Sequence, residues 1–353
     1  RARAGQSVIE IASQVSLQSH NSLALPSRAE YFCSVTDELQ IVEALDYARA
    51  NNLQVTALGG GSNLVLAGDI AGLVIYLDLN GISRQEPQDR QENQGNTVHV
   101  EFAAGENWHK TVEYCLQQGW YGLENLSLIP GNMGAAPIQN IGAYGVELCD
   151  LFVSLRAIDI ARGQPVMMDK QACEFGYRDS IFKGKFQNQY LITQVTLALS
   201  LQPRVNLEYP ALAEALAAVD QPTPQMVSAA VCAIRSAKLP DPAQIPNAGS
   251  FFKNPVVGPQ MLEQLLAANP QMPFYSLGSS GAKIPAAWLI DQCGFKGLRD
   301  GNVGVHQHQA LVLVNLGGTG TELLALANRI QSEVLERFSI ALEIEPRIYG
   351  QPD

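Results

Sequence analysis

The sequence predicts a fold of mixed helices and strands, α+β or α/β, spread over more than one domain. Three observations carry this. The chain has 353 residues, more than one ordinary hydrophobic core organises, so two or three domains are expected. Helical and strand-like apolar periods alternate along the whole length and do not segregate into blocks. Apolar residues make up 46% and charged residues 16%, a balance that belongs to a globular chain and excludes disorder.

The elements follow in order. Residues 1–16 carry two arginines and no apolar stretch, so they read as a short amphipathic lead-in and not as a signal peptide. Thr36 is a candidate cap for a helix with Ile41, Val42, Leu45 and Ala48 at helical spacing. A strand at Val55–Leu58 runs into Gly59, Gly60 and Gly61, and a second, rich in Val, Ile and Leu, covers 73–79. The polar stretch 83–97 reads as an exposed loop and 98–104 as a strand. Trp108, Val112, Cys115 and Leu116 then define an amphipathic helix that stops at Gly119. Residues 190–201 alternate as a long strand. Met226, Val227, Ala230, Val231 and Ile234 mark a helix before Leu239-Pro240-Asp241-Pro242, where a domain boundary is expected. A strand at 310–315 leads to a helix bearing Leu323, Leu326, Ile330 and Val334, with Thr319 and Glu322 at capping-box spacing.

Several classes are excluded at this level. A formal charge of -11 argues against a nucleic-acid-binding surface, though local Arg and Lys residues can still bind an anionic ligand. No apolar run reaches the roughly 18 residues a bilayer span needs, so no membrane association is expected. The six cysteines (Cys33, Cys115, Cys149, Cys173, Cys232, Cys293) are scattered, with no CxxC pair, and read as reduced thiols of a cytoplasmic protein without a metal site.

Five segments can carry chemistry. Residues 58–64, Leu-Gly-Gly-Gly-Ser-Asn-Leu, let main-chain N–H groups crowd an anion. They match neither GxGxxG, since Leu64 replaces the third glycine, nor a P-loop. An ordinary glycine turn explains them equally well. Residues 122–145 hold five glycines and two prolines yet stay apolar, with Leu126, Leu128, Ile129, Met133, Ile138 and Ile141. Such a segment can be neither regular helix nor regular strand, and its backbone groups need partners; a dinucleotide would supply them. In 175–183, Arg178 could clamp a carboxylate, although a solvated turn is the commoner outcome. In 247–255, Ser250 stands beside Phe251 and Phe252. It could be a proton donor, a hydrolase nucleophile served by His306 or His308, or a turn serine. Finally, Glu343-Ile-Glu345-Pro-Arg347 reads as a surface strand, irregular at Pro346.

Taken together and in this order, these segments resemble the UDP-N-acetylenolpyruvoylglucosamine reductase family of peptidoglycan synthesis. The likeness runs from about His20 to Gly350 through the triple-glycine loop, Ile129-Pro-Gly131 to Gly145, Gly176-Tyr-Arg-Asp-Ser180, Lys238-Leu-Pro-Asp-Pro242, Asn247 to Pro255 and Trp288-Leu-Ile-Asp291. The nearest type carries a tyrosine in its substrate loop, here Leu207-Glu-Tyr209-Pro210.

The resemblance implies an α+β fold of the vanillyl-alcohol-oxidase, PCMH-like type. It implies an FAD-binding region at 17–239 in two lobes, 17–80 and 81–239, a substrate domain at 240–338, and a C-terminal segment, 339–353, that returns to the active site. It implies that NADPH reduces non-covalent FAD and leaves, and that UDP-N-acetylglucosamine enolpyruvate then binds. Flavin N5 delivers hydride to the terminal carbon, charge develops as an enediolate, and a serine protonates the adjacent carbon. Ser250 matches the proton donor, and Arg178 and Glu345 match the pair that stabilises the enediolate. Developing charge calls for preorganised donors, and a bare carboxylate would repel it, so Glu345 is expected to hold or share a proton. Strand alternation sends Glu343 and Glu345 to the same side, and only alignment on Arg347 favours Glu345.

Tyr209, Lys238, Asn254 and Gln309 match substrate-binding positions. Arg235, three residues before Lys238, could add a phosphate contact. Flavin contacts carry over to Gly59, Gly60, Gly61, Ser62, Asn63, Ser127, Ile129, Gly131, Gly134, Gln139, Asn140, Gly142 and Gly145. The implied protein is a cytoplasmic monomer with no nucleic-acid or membrane partner. Two alternatives stand beside this reading. One is a flavin-dependent oxidase or dehydrogenase of a hydroxy acid with the same fold; the other is a non-catalytic FAD-binding protein.

Overall fold

Residues 9–85 and 96–351 are described by the structure, a computed structural model. The backbone separates into two units. The first comprises residues up to Val15, Ala29–Gly60 and Ile70–Ala237; the second comprises Ser16–Arg28, Gly61–Asp69 and the residues from Lys238 on.

The first unit holds two sheets. In one, Arg28–Val35, Ile70–Leu77 and Val55–Leu58 run parallel, with Ala12–Ser16 outside Arg28–Val35. Buried Leu73, Ile75, Ile41 and Leu45 join the sheet to helix Glu38–Ala50. That helix is capped by Asp37, whose side chain accepts from Gln40 N at 2.9 Å, and not by Thr36. Thr36 stands one residue too early: it is the Asp37 carboxylate that reaches Gln40 N, while the N–H of Thr36 donates to Gln40 Oε1 at 2.7 Å.

The other sheet is antiparallel, in the order Gln164–Asp169, Phe152–Asp159, Tyr190–Ser200, Thr97–Ala103, Ile82–Arg84. Its inner face packs Val100, Phe102, Val195 and Leu197 against Trp108, Val112 and Cys115 of helix Trp108–Gln118. The loop expected at 83–97 is partly strand, since Ser83 and Arg84 pair with Glu101 and Val100. An edge strand with polar side chains hides its period. Residues 86–95 of that expected loop, and 1–8 of the lead-in, lie outside the described residues. Helix Trp108–Gln118 ends at Gly119, whose φ of 73° is the left-handed cap that glycine favours.

The second unit is built on an antiparallel sheet in the order Asn247–Ser250, Val312–Asn315, Val303–Val305, Arg299–Asp300. Helix Gly320–Phe338 buries Leu323, Leu326, Ile330 and Val334, and Thr319 and Glu322 form the capping box expected from their spacing. The strand expected from residue 310 begins at Val312, because Val312 N first closes a turn onto Gln309 O at 3.1 Å. Leu64–Leu66 pairs in parallel with Arg347–Tyr349. This pairing explains why 61–69, which the sequence places in the first lobe, packs in the second unit.

Candidate active site

The glycine loop follows strand Val55–Leu58. A methyl group on Gly59 would touch nothing within 4 Å, whereas one on Gly60 would lie 2.8 Å from Asn132 Oδ1. Gly61 has φ 61°, and a Cβ there would be 1.9 Å from His20 O. Gly61 is therefore required by close main-chain approach and its positive φ, Gly60 is crowded by the Asn132 side chain and Gly131, and Gly59 leaves its backbone open. Of the two polar residues that follow, Ser62 O accepts from Ser22 Oγ at 3.3 Å and Asn63 O from Arg347 N at 3.1 Å.

Residues 122–145 fold as two 3-10 segments, Glu124–Leu126 and Met133–Gln139, and a tight hairpin of Gly142–Ala143 with Val146–Glu147. The backbone partners come from the chain just before and within helix Trp108–Gln118. Gly134 N donates to Ala104 O at 2.9 Å, Met133 N to Glu106 O at 2.8 Å, and Trp108 N to Gly131 O at 3.0 Å. The Trp108 indole donates to Leu126 O at 2.8 Å. A Cβ on Gly134 would sit 2.5 Å from the Ala104 Cβ, so only glycine seats here. Left-handed residues cluster in the segment: Leu128 (φ 59°), Asn140 (44°) and Tyr144 (49°) beside Gly131 and Gly145. Such strain persists where surrounding contacts impose it, and it concentrates at ligand-binding loops.

Two of the residues expected to touch a flavin have committed side chains. The Ser127 hydroxyl donates to Glu124 O at 2.7 Å and meets Ser228 Oγ at 2.8 Å. The Asn140 amide donates to Glu147 Oε2 at 2.9 Å and Gly176 O at 3.1 Å, and its Oδ1 accepts from Cys149 N at 3.0 Å. What both can offer a cofactor is mainly main chain. A loop of open glycine and main-chain donors fits the diphosphate of a dinucleotide, which is held by backbone N–H groups.

Arg178 sits in a tight turn at φ 52°, closed by reciprocal Gly176–Asp179 backbone bonds of 3.0 and 3.2 Å. This is the solvated turn expected from its residues only in part: Tyr177 and Asp179 are exposed, but Arg178 is half-buried. Ser180 Oγ fastens the turn to the glycine-rich segment by donating to Ile138 O at 2.6 Å.

Arg235, on helix Pro224–Lys238, is half-buried as a side chain, but its Nε is enclosed and has no hydrogen-bond partner. Burial lowers its pKa, Tyr144 opposes this, and the positive charge of Arg178 lowers it further. Tyr144 in turn packs edge-on against Tyr209 with ring centres 5.1 Å apart. Tyr144 was not singled out by sequence, because a tyrosine between glycines carries no spacing signal. An enclosed guanidinium repelled by a second one is an arrangement that an anion relieves. Lys238, exposed, is the last residue of the same helix.

In the second unit, Gly249 (φ 69°) precedes Ser250, the final residue of its strand, and Phe251 and Phe252 are buried behind it. Glu345 N donates to Phe251 O at 2.9 Å and Lys253 N to Glu343 O at 2.9 Å, with Phe252 opposite Ile344. This antiparallel register puts Ser250 and Glu345 on adjacent strands, one residue out of step. The two glutamates differ in their surroundings. Glu343 is exposed and pairs with Lys253, while Glu345 is half-buried.

Asn254 Oδ1 accepts from Ala286 N at 2.8 Å, which leaves its amide N–H groups as donors. Gln309 is half-buried, with Oε1 accepting from Leu311 N at 3.3 Å. Among the described residues, no hydrogen bond joins Ser250 to His306 or His308, whose rings meet edge-on with centres 5.7 Å apart. The hydrolase arrangement is therefore not assembled. No group of three His, Cys, Asp or Glu among the described residues is placed to hold a metal ion.

Comparison with known proteins agrees with this geometry. Residues 29–169 match an FAD binding domain, and residues 241–349 match the UDP-N-acetylenolpyruvoylglucosamine reductase C-terminal domain. The UDP-N-acetylenolpyruvoylglucosamine reductase of Paraburkholderia xenovorans (strain LB400) is 48% identical over 337 residues, covering 94% of this chain and 95% of that one. The enzyme of that name from Pseudomonas fluorescens (strain Pf0-1) is 45% identical over 344 residues, covering 97% and 99%. The crystal structure of UDP-N-acetylenolpyruvylglucosamine reductase from Thermus caldophilus superposes with a TM-score of 0.65 at 22% identity, covering 97% and 99%, and so supports the fold. With near-complete coverage at close to half identity, this chain belongs to the UDP-N-acetylenolpyruvoylglucosamine reductase family.

Proposed function

We propose that this chain reduces UDP-N-acetylglucosamine enolpyruvate to UDP-N-acetylmuramate in peptidoglycan precursor synthesis, with FAD as bound cofactor and NADPH as reductant. The observation that supports the reading is the backbone pairing of residues 251–253 with 343–345, which sets Ser250, just ahead of buried Phe251 and Phe252, one residue out of step with half-buried Glu345. Ser250 Oγ gives its proton to the substrate carbon adjacent to the one that receives hydride. Arg178 holds the substrate carboxylate as charge builds on it, and Glu345 donates a hydrogen bond to that charge from its protonated form. When bound, FAD supplies the hydride that it takes from NADPH.

The remaining assignments follow the chemistry of each group. Arg235, with an unsatisfied Nε, takes a phosphate or carboxylate oxygen, as does Lys238. Asn254, its carbonyl already used, donates to the diphosphate; Tyr209 and Gln309 complete the contacts. FAD is held at the backbones of Gly59, Gly60, Gly61, Ser62, Asn63, Ser127, Ile129, Gly131, Gly134, Gln139, Asn140, Gly142 and Gly145. In this reading 17–239 serve the cofactor and 240–338 the substrate. A cytoplasmic monomer completes the picture; the six unpaired cysteines support the reducing location.

The test is anaerobic. NADPH is added to the purified protein and the visible band of oxidised flavin is followed, then UDP-N-acetylglucosamine enolpyruvate is supplied. Bleaching followed by rapid recovery is expected. Bleaching without recovery would assign the chemistry to another substrate, such as a hydroxy acid, and no flavin band would overturn the reading of the glycine-rich loops.

A further inference from the structure

Helix Trp108–Gln118 carries a histidine in its first turn that no step above uses. Leu128 N donates to His109 Nδ1 at 3.0 Å. On the other side of the ring, Nε2 lies 3.7 Å from Glu113 Oε1 and 4.0 Å from Cys232 Sγ. The Glu113 carboxylate can only accept and so favours a proton on Nε2, and the neutral Cys232 thiol, kept protonated by burial, can accept weakly at its sulfur. An N–H that donates into Nδ1 requires that nitrogen to be bare. Both ends of the ring therefore select one neutral tautomer, with the proton on Nε2.

The consequence falls on Leu128. A branched side chain at φ 59° is disfavoured unless something holds it. Two consecutive residues of the helix do so: the Trp108 indole grips Leu126 O and the His109 ring grips Leu128 N. Between and just beyond these two points stand Ser127 and Ile129, whose main chain is read above as facing FAD.

We propose that His109 is a positioning residue for the cofactor, accepting the Leu128 N–H at Nδ1 and so holding the 126–129 main chain in its FAD-competent form. The inference rests on the flavin reading of that loop. Without the acceptor, the loop relaxes out of the left-handed conformation, the competent fraction falls, and apparent FAD affinity falls with it.

Asparagine and glutamine separate this from general packing. An Asn carbonyl falls where Nδ1 is, whereas a Gln carbonyl falls near Nε2. FAD titration of the apoprotein is expected to show His109→Ala and His109→Gln binding about tenfold more weakly. His109→Asn is expected to bind within about twofold of the parent. Glycine adopts positive φ without a clamp, so adding Leu128→Gly to His109→Ala should restore binding. Nitrogen-15 spectra of the apoprotein should show the His109 proton on Nε2. Equal binding by the Asn and Gln variants, parent-like binding by His109→Ala, or a proton on Nδ1 would overturn the proposal. Leu128→Pro, which cannot adopt positive φ, separates the two layers. If it loses FAD while His109→Ala does not, the role of His109 fails alone. If neither changes FAD affinity, the flavin reading of the loop fails with it.

Discussion

Ser250 and Glu345 are neighbours across one antiparallel register, so the two substitutions there test separable roles. Ser250→Ala should leave flavin reduction by NADPH nearly intact and slow reoxidation by the enolpyruvyl substrate by about 100-fold or more, read by stopped-flow absorbance. Equal slowing of both half-reactions would remove Ser250 from the proton-donor role. Glu345→Gln keeps an N–H donor that Glu345→Ala loses, so its turnover should be the higher of the two; the reverse order would count against a hydrogen-bond-donating, protonated Glu345. Arg235→Met should raise the substrate KM by about tenfold or more, while the melting temperature of the apoprotein holds or rises, because an enclosed, unsatisfied cation is removed. A fall in melting temperature with unchanged KM would mark Arg235 as structural.

At the scale of elements, the seating of Met133–Gln139 on Ala104 is the most exacting contact. Gly134→Ala places a carbon where the Ala104 methyl group already stands, so both FAD binding and melting temperature should drop; retention of both would mean the segment can shift as a unit. A second contact joins helix Glu38–Ala50 to the antiparallel sheet. Arg156 donates to both Glu38 oxygens at 2.7 and 2.9 Å, and Thr193 Oγ1 donates to Oε1 at 2.7 Å. Arg156 holds the Glu38 carboxyl below its ordinary value of 4.5. The stabilisation it gives is therefore present above pH 4.5 and is lost as pH falls through the lowered value. Glu38→Gln should cost about 1 kcal/mol at neutral pH and nothing in acid, measured by denaturant unfolding.

Elements with strong periodicity were legible in the sequence. The Thr319 capping box, the Gly119 stop and the long strand at 190 all stand where their residues imply. The family was legible too, from the order of the site segments. Three things were not. The strand Ile82–Arg84 has polar residues at an edge and shows no period. The commitment of Asn140 and Ser127 to internal hydrogen bonds depends on residues up to 101 positions away. The pairing of Glu343 with Lys253, which distinguishes its surroundings from those of Glu345, is announced by nothing local.

Across the whole molecule, burial grades the thiols. Cys33, Cys115 and Cys173 are pushed up to about 12 by burial, with the Asp169 charge adding to the effect at Cys173. They stay neutral in the folded chain while the unfolded chain ionises from 9.0, so their contribution to stability is full below pH 9.0 and is lost between there and about 12. Alkylation of the native protein near pH 8 should spare these three and label only Cys149, Cys232 and Cys293, counted by mass spectrometry. Labelling of Cys115 without unfolding would show that the core of helix Trp108–Gln118 opens locally.

The pairing of Leu64–Leu66 with Arg347–Tyr349 also sets a timetable. A ribosome releases residues 61–69 well before their partner strand, Arg347–Tyr349. The second unit is therefore incomplete until residue 349 emerges, while the parallel sheet of the first unit can close as soon as residue 77 emerges. Until then the Leu-Val-Leu edge stands unpaired on the nascent chain, a template for misassociation that chaperones would have to shield. Ribosome-stalled chains ending before residue 347 should accordingly show a protease-resistant first unit and a protease-sensitive second one.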